Sequence, residues 1–157
     1  MTSKFELRVL TELRSAELMQ GMESEDLKKM AAMATEVEFA KDEIIYQKGT
    51  MGKAIYLIVS GQVVIETNVP NQGQIVMNTL GPGQFFGWSA LFPAERKMAW
   101  TRALRPTRAF AFDAAKLHNA FQADHKLEYA LVRRAGRAMT DRIRDTRQQL
   151  TDMLKEG

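Results

Sequence analysis

The chain has 157 residues, 45% of them hydrophobic, and 22 Lys+Arg against 19 Asp+Glu leave a net charge of only +3. One domain able to bury its own core is expected, with room for an appended element. No cysteine is present, which excludes disulfides, thiol catalysis and thiolate metal sites. No apolar run reaches the ~20 residues of a membrane-spanning helix, and the N-terminus has no signal-peptide core, so a cytoplasmic protein is expected.

Residues 4–20 have helical spacing through Phe5, Val9, Leu10 and Leu13. Ser24 followed by Glu25 and Asp26 is a helix start, with Leu27, Met30 and Ala31 on one face. The period then changes to two. Runs at 37–39, 44–46, 55–59, 62–67, 75–79, 99–104 and 107–112 read as short strands separated by Gly, Pro, Asn and Ser turns. Many short strands with close turns argue for a β-sandwich or roll. Asp113 can cap a helix over Ala114–Ala123, and the chain breaks near Asp124 or His125. From Lys126 the sequence is helical nearly to its end. Val132, Ala135, Met139, Ile143, Thr146, Leu150 and Met153 form an approximate a/d seam along a helix roughly 45 Å long. A self-pairing dimer helix is its expected use.

The segment 81–103, GPGQFFGWSALFPAERKMAWTRA, carries the most chemistry. A Gly-rich turn runs into a short apolar helical stretch at Trp88, Ser89, Ala90 and Leu91. Its free amides would face a negative group, and Arg96 and Lys97 would neutralise it. A small anionic, phosphate-bearing ligand is the expectation.

Other constellations are weaker. His118 and His125 are the only histidines and read as surface residues; zinc would need more ligands. Glu36, Glu38, Asp42 and Glu43 read as solvated carboxylates. Met19, Met22, Met30 and Met33 suit an adaptable helical interface. Trp100 should pack on the roll, alternating with polar Thr101. The arginines near the C-terminus are interleaved with Asp141, Asp145 and Asp152, as on a solvated helix with pairs such as Asp141 with Arg144. Nucleic-acid binding is therefore not expected. No nucleophile, base or metal set can be assembled, so no catalytic residues are assigned and no enzyme is expected.

The ordered pieces Gln47-Lys48-Gly49-Thr50, Gly52, the hairpin from Ile55 through Ser60-Gly61 to Val63, Leu80-Gly81-Pro82-Gly83-Gln84-Phe85-Phe86-Gly87, and Ala99-Trp100-Thr101-Arg102-Ala103 resemble the cyclic-nucleotide-binding domain of the catabolite activator family. The resemblance covers roughly residues 25–143. It implies a mainly β fold with α: a double-stranded β-helix, or jelly roll, of eight strands, with N-terminal helices and a long C-terminal helix that pairs subunits. The divisions expected are an N-terminal helical segment at 1–24, the roll at 25–124 and a dimerisation or lid helix at 125–157. The family's helix-turn-helix is not expected in these 157 residues.

The resemblance also implies a site. The family cassette carries a glutamate after Phe-Gly that accepts the ribose 2′-hydroxyl, and later an arginine for the cyclic phosphate. Here Trp88 stands in the glutamate position and Lys97 in the arginine position, with Arg96 one residue earlier. An indole has no acceptor, and the unmade hydrogen bond is worth about 1–3 kcal/mol. A lysine keeps the charge without the two-pronged fork. Both changes point away from the standard cAMP mode, so the phosphate cassette is degenerate. The candidate ligand-binding residues are Phe86, Gly87, Trp88, Ser89, Ala90, Arg96, Lys97 and Met98, with Arg142 on the terminal helix. No resident cofactor is read from the sequence; cAMP or cGMP enters through the resemblance. The expected function is a regulatory sensor that binds a small anion and signals through the terminal helix to a homodimer or another protein partner. The alternative is a ligand-independent dimerisation or scaffold protein whose pocket is vestigial and filled by Trp88.

Overall fold

In the computed structural model, residues 2–92 and 96–156 are described. Helix α1 (Lys4–Ser15) is capped by Ser3, whose hydroxyl accepts the Glu6 amide at 3.1 Å. A 3-10 turn at Glu17–Met19 breaks the helical run expected to reach residue 20. Helix α2 (Ser24–Ala32) begins one residue earlier than expected, because Glu23 rather than Ser24 occupies its N-cap. Eight strands follow: β1 (Ala34–Phe39), β2 (Ile44–Tyr46), β3 (Ala54–Ser60), β4 (Val63–Val69), β5 (Gly73–Leu80), β6 (Phe85–Phe86), β7 (Trp100–Ala103) and β8 (Thr107–Asp113). Helix α3 (Ala114–Ala123) is capped by Asp113, which accepts the Lys116 amide at 2.9 Å. Helix α4 (His125–Glu156) completes the described chain.

The strands form two four-stranded sheets, ordered β1-β8-β3-β6 and β2-β7-β4-β5, and every pairing is antiparallel. The jelly roll expected from the resemblance is the fold observed. The first sheet is sandwiched. Its outer face packs on the helices through Ile55, Leu57, Phe110 and Phe112, with Val9, Leu13, Met30, Leu117 and Leu127 opposite. Its inner face joins Ile58, Val63, Leu80 and Phe86 inside the roll. A strand covered on both faces needs a nearly continuous apolar run, which AIYLIVS and TRAFAFD supply.

Met19, Met22 and Met30 are buried in the helical cluster, as their spacing implied. The first half of α4 joins that core, through buried Leu127, Leu131 and Ala135 with Ala138 and Met139 packed against it. Beyond it Ile143, Leu150 and Met153 stay exposed. Ala135 thus belongs to the domain core, not to an open seam.

One strand faces opposite to expectation. Thr101 is fully buried and Trp100 half-buried on the outer face. Arg102 fixes this registry by binding Glu66 at 2.7 Å and Asp42 at 2.8 Å on the outside of the roll. Glu36 is likewise engaged by Arg8 at 3.3 Å and by Arg108, so two of the carboxylates read as merely solvated are structural.

Candidate functional site

The cassette is built on β6, a two-residue strand the sequence reading missed. It pairs with β3, Tyr56 against Phe86 and Leu57 against Phe85. Gly87 then turns the chain at φ 88°, and a Cβ there would meet the Ala54 carbonyl oxygen at 2.7 Å. Only glycine fits without strain. Trp88–Leu91 is a single 3-10 turn. The Ala90 amide donates to the Gly87 carbonyl at 3.0 Å, so it is not the free anion donor expected. Gly52 presses on this turn; a Cβ would sit 2.9 Å from Ala90 Cα. The loop at 47–52 is tied to the far side of the cassette. Gly49 N–H donates to the Lys97 carbonyl and Lys97 N–H to the Thr50 carbonyl, both at 2.8 Å.

These elements enclose a cavity of ≈ 330 Å³ inside the roll, lined by Ile44, Tyr46, Thr50, Gly52, Tyr56 and Lys97 among others. Lys97 is only 6% exposed. Its Nζ has no hydrogen-bond partner among the described residues and lies 4.2 Å from the Tyr46 ring centroid. Burial, and then the nearby Arg142 charge, lower its pKa to about 8. Arg96 does not share the cavity. It is exposed and donates to the Gly49 carbonyl at 3.0 Å, locking the loop. Met98 is 83% exposed and lines neither the roll cavity nor the cleft under α4. Residues 93–95, part of the expected site segment, lie outside the described residues.

Trp88 faces elsewhere. It is 1% exposed, packs on Phe85 at 5.3 Å, and lines a separate cleft of ≈ 160 Å³ under α4. Its indole N–H and the Ser89 hydroxyl have no partner among the described residues. Trp88 therefore does not fill the cavity that holds Lys97. Phe86 is core, stacked on Tyr56 at 4.8 Å. His118, expected on the surface, is half-buried with Nε2 3.1 Å from the Ala90 carbonyl; it braces the turn from α3.

Arg142 connects the site to α4. Its guanidinium donates to the Phe85 carbonyl and borders the same cleft as Trp88. Its charge acts on Lys97 and Tyr46 of the roll cavity, while burial holds its own pKa below the usual arginine value. Sequence reasoning picked Lys97 and Arg142 but missed Tyr46 and Tyr56, which read only as strand residues. Among the described residues no cluster of His, Cys, Asp or Glu could hold a metal, and no helix is long and apolar enough to cross a membrane.

The family model described as "Cyclic nucleotide-binding domain" matches residues 36–124. The chain belongs to the cyclic nucleotide-binding domain family. It is similar to a CRP-like cAMP-activated global transcriptional regulator of Mycobacterium tuberculosis, 23% identical over 90% of this chain and 62% of the relative. It is also similar to the cAMP-activated global transcriptional regulator Vfr of Pseudomonas aeruginosa, 30% identical over 73% of this chain and 53% of the relative. The chain thus spans between half and two thirds of these relatives. A cyclic nucleotide-binding domain from Methylobacillus flagellatus superposes with a TM-score of 0.80, covering 96% of this chain and 84% of that one at 19% identity. That likeness concerns the fold alone.

Proposed function

We infer that this cyclic nucleotide-binding domain is a non-catalytic regulatory sensor that takes a small anionic, nucleotide-type ligand into the roll cavity and relays occupancy to α4. Lys97 carries this reading. A buried ammonium with no carboxylate beside it, among the described residues, is costly to hold unless an anion completes it. Arg142 supports the relay, because it anchors α4 to the cassette backbone and acts on Lys97. The chain's similarity to two bacterial cAMP-activated regulators makes cAMP the first ligand to test. The vestigial-pocket alternative loses its main support, since Trp88 lies outside the roll cavity.

Calorimetric titration with a nucleotide panel, cAMP and cGMP first, tests the reading. Binding that weakens at least tenfold in Lys97→Met supports it. No binding across the panel would overturn it in favour of a ligand-independent dimer.

A further inference from the structure

The cleft of ≈ 160 Å³ under α4 is separate from the roll cavity, and its polar groups are divided by depth. Trp88 lines this cleft and not the roll cavity. It is 1% exposed, and its indole N–H has no partner among the described residues. Half-buried Arg142 lines the cleft too, and the Phe85 carbonyl takes one of its five N–H donors. An indole and a guanidinium only donate. A buried donor without an acceptor is costly, so the inner end of the cleft calls for an anionic acceptor. The solvent side has the opposite character. Exposed Glu17, Asp141 and Asp145 line it, with exposed Arg137 beside them. Asp141 pairs with Arg144 at 3.2 Å, while Glu17 and Asp145 form no ion pair among the described residues.

A simple amine would answer these carboxylates but leave the indole N–H unmet. A simple carboxylic acid would answer the inner donors but meet the carboxylates on its way in. A zwitterion satisfies both ends. The remaining walls, Leu80 and Phe85 above all, suit an apolar body. A cleft of ≈ 160 Å³ is about the size that admits a benzene-sized molecule, so the two charges of its ligand must lie close together. We propose that this cleft is a second small-molecule site, for a free α-amino acid with an apolar side chain, its carboxylate on the Trp88 indole N–H and Arg142 and its ammonium on Glu17 or Asp145. Such a ligand would touch the 3-10 turn at Glu17, the cassette and α4 at once, holding the helix against the roll. The inference does not depend on the roll cavity being an anion site.

Leucine and phenylalanine are titrated calorimetrically into the full chain near pH 7. Each is run beside its counterpart without the amine, isocaproate or hydrocinnamate, and without the carboxylate, isoamylamine or phenethylamine. Expected is that one amino acid binds at least about tenfold tighter than both of its counterparts. Glu17→Gln combined with Asp145→Asn, both on the surface, should weaken that amino acid at least about tenfold. Trp88→Phe keeps a ring and removes the N–H, and should weaken it at least about threefold; circular dichroism checks that the variants fold. A counterpart that binds as tightly as its amino acid overturns the zwitterion. Unchanged affinity in either variant overturns the assignment of the ligand to this cleft. No binding of either amino acid overturns the proposal outright and leaves the reading of the roll cavity standing.

Discussion

The Lys97 ammonium lies 4.2 Å from the centroid of the Tyr46 ring, buried, with no hydrogen-bond partner among the described residues. A ring face offsets part of the desolvation of a cation, about 1–2 kcal/mol, and cannot take the place of a carboxylate. The fold holds this group against its own stability.

Replacing it should therefore stabilise the protein. At ~1.4 kcal/mol per pKa unit, lowering the Lys97 pKa from 10.5 to about 8 costs the fold about 3 kcal/mol when the group is charged. Lys97→Met should unfold about 2 kcal/mol later at pH 7, after the lost contact with Tyr46, while losing anion binding. Chemical denaturation paired with titration measures both; a less stable variant would contradict the assignment of Lys97 as an uncompensated cation.

The same group sets a pH dependence of stability. Its folded pKa lies below its unfolded pKa, so between about pH 8 and 10.5 the unfolded chain binds more protons. The Lys97 contribution to stability thus rises with pH through that window. The advantage of Lys97→Met should be full below pH 8 and shrink toward zero by pH 10.5. Denaturation midpoints of the two proteins across that range check it.

Ligand affinity should run the other way. Lys97 must be charged to hold an anion, so binding should be flat below about pH 7 and weaken toward tenfold per pH unit above 8. The Tyr46 phenol stays neutral near pH 8, because burial shifts it upward. Binding near pH 8 should take up protons, seen as a dependence of the calorimetric heat on buffer ionisation.

Gly87→Ala should be destabilising by at least ~2 kcal/mol, since it places a side chain at φ 88° and 2.7 Å from the Ala54 carbonyl oxygen. Thermal unfolding should shift down by roughly 4–8 °C. A change under 1 °C would show that the cassette can move away from β3.

We propose that the outer part of α4 pairs with a second copy. Ile143, 58% exposed, and Leu150 lie beyond the domain core, so Ile143→Asp with Leu150→Asp should produce a monomer of unchanged helix content. Sedimentation velocity decides; a wild-type monomer would remove the seam from consideration.

Much of the fold was legible because turns and caps act locally. Asp113 capped its predicted helix, and the chain turned at Asp124 as expected. Strand β6 was not legible, since two residues carry no period. Thr101 and Trp100 exchanged faces because the ion pairs of Arg102 lie far off in sequence. At the site, Lys97 was named from its place after the Gly-rich turn and again from the resemblance, Arg142 from the resemblance alone, whereas the direction of Trp88 was not readable. Its orientation depends on how Gly87 aims the turn and on Phe85 and α4 beside it. Arg96 and Lys97 could not be separated by type; the backbone bonds to Gly49 and Thr50 decide which one turns inward.

The position of Arg142 along α4 has a mechanical meaning. At 1.5 Å per residue, it stands roughly 26 Å from the start of the helix at His125, and Glu156 stands roughly 47 Å away. In the relay proposed above, the helix acts as a lever with its fulcrum at Asp124, and the site pushes on it near the middle of its length. A tilt that displaces Arg142 by one ångström displaces the tip by nearly two. Under that proposal, whatever meets the far end of α4 would receive the smallest adjustment in the roll already magnified.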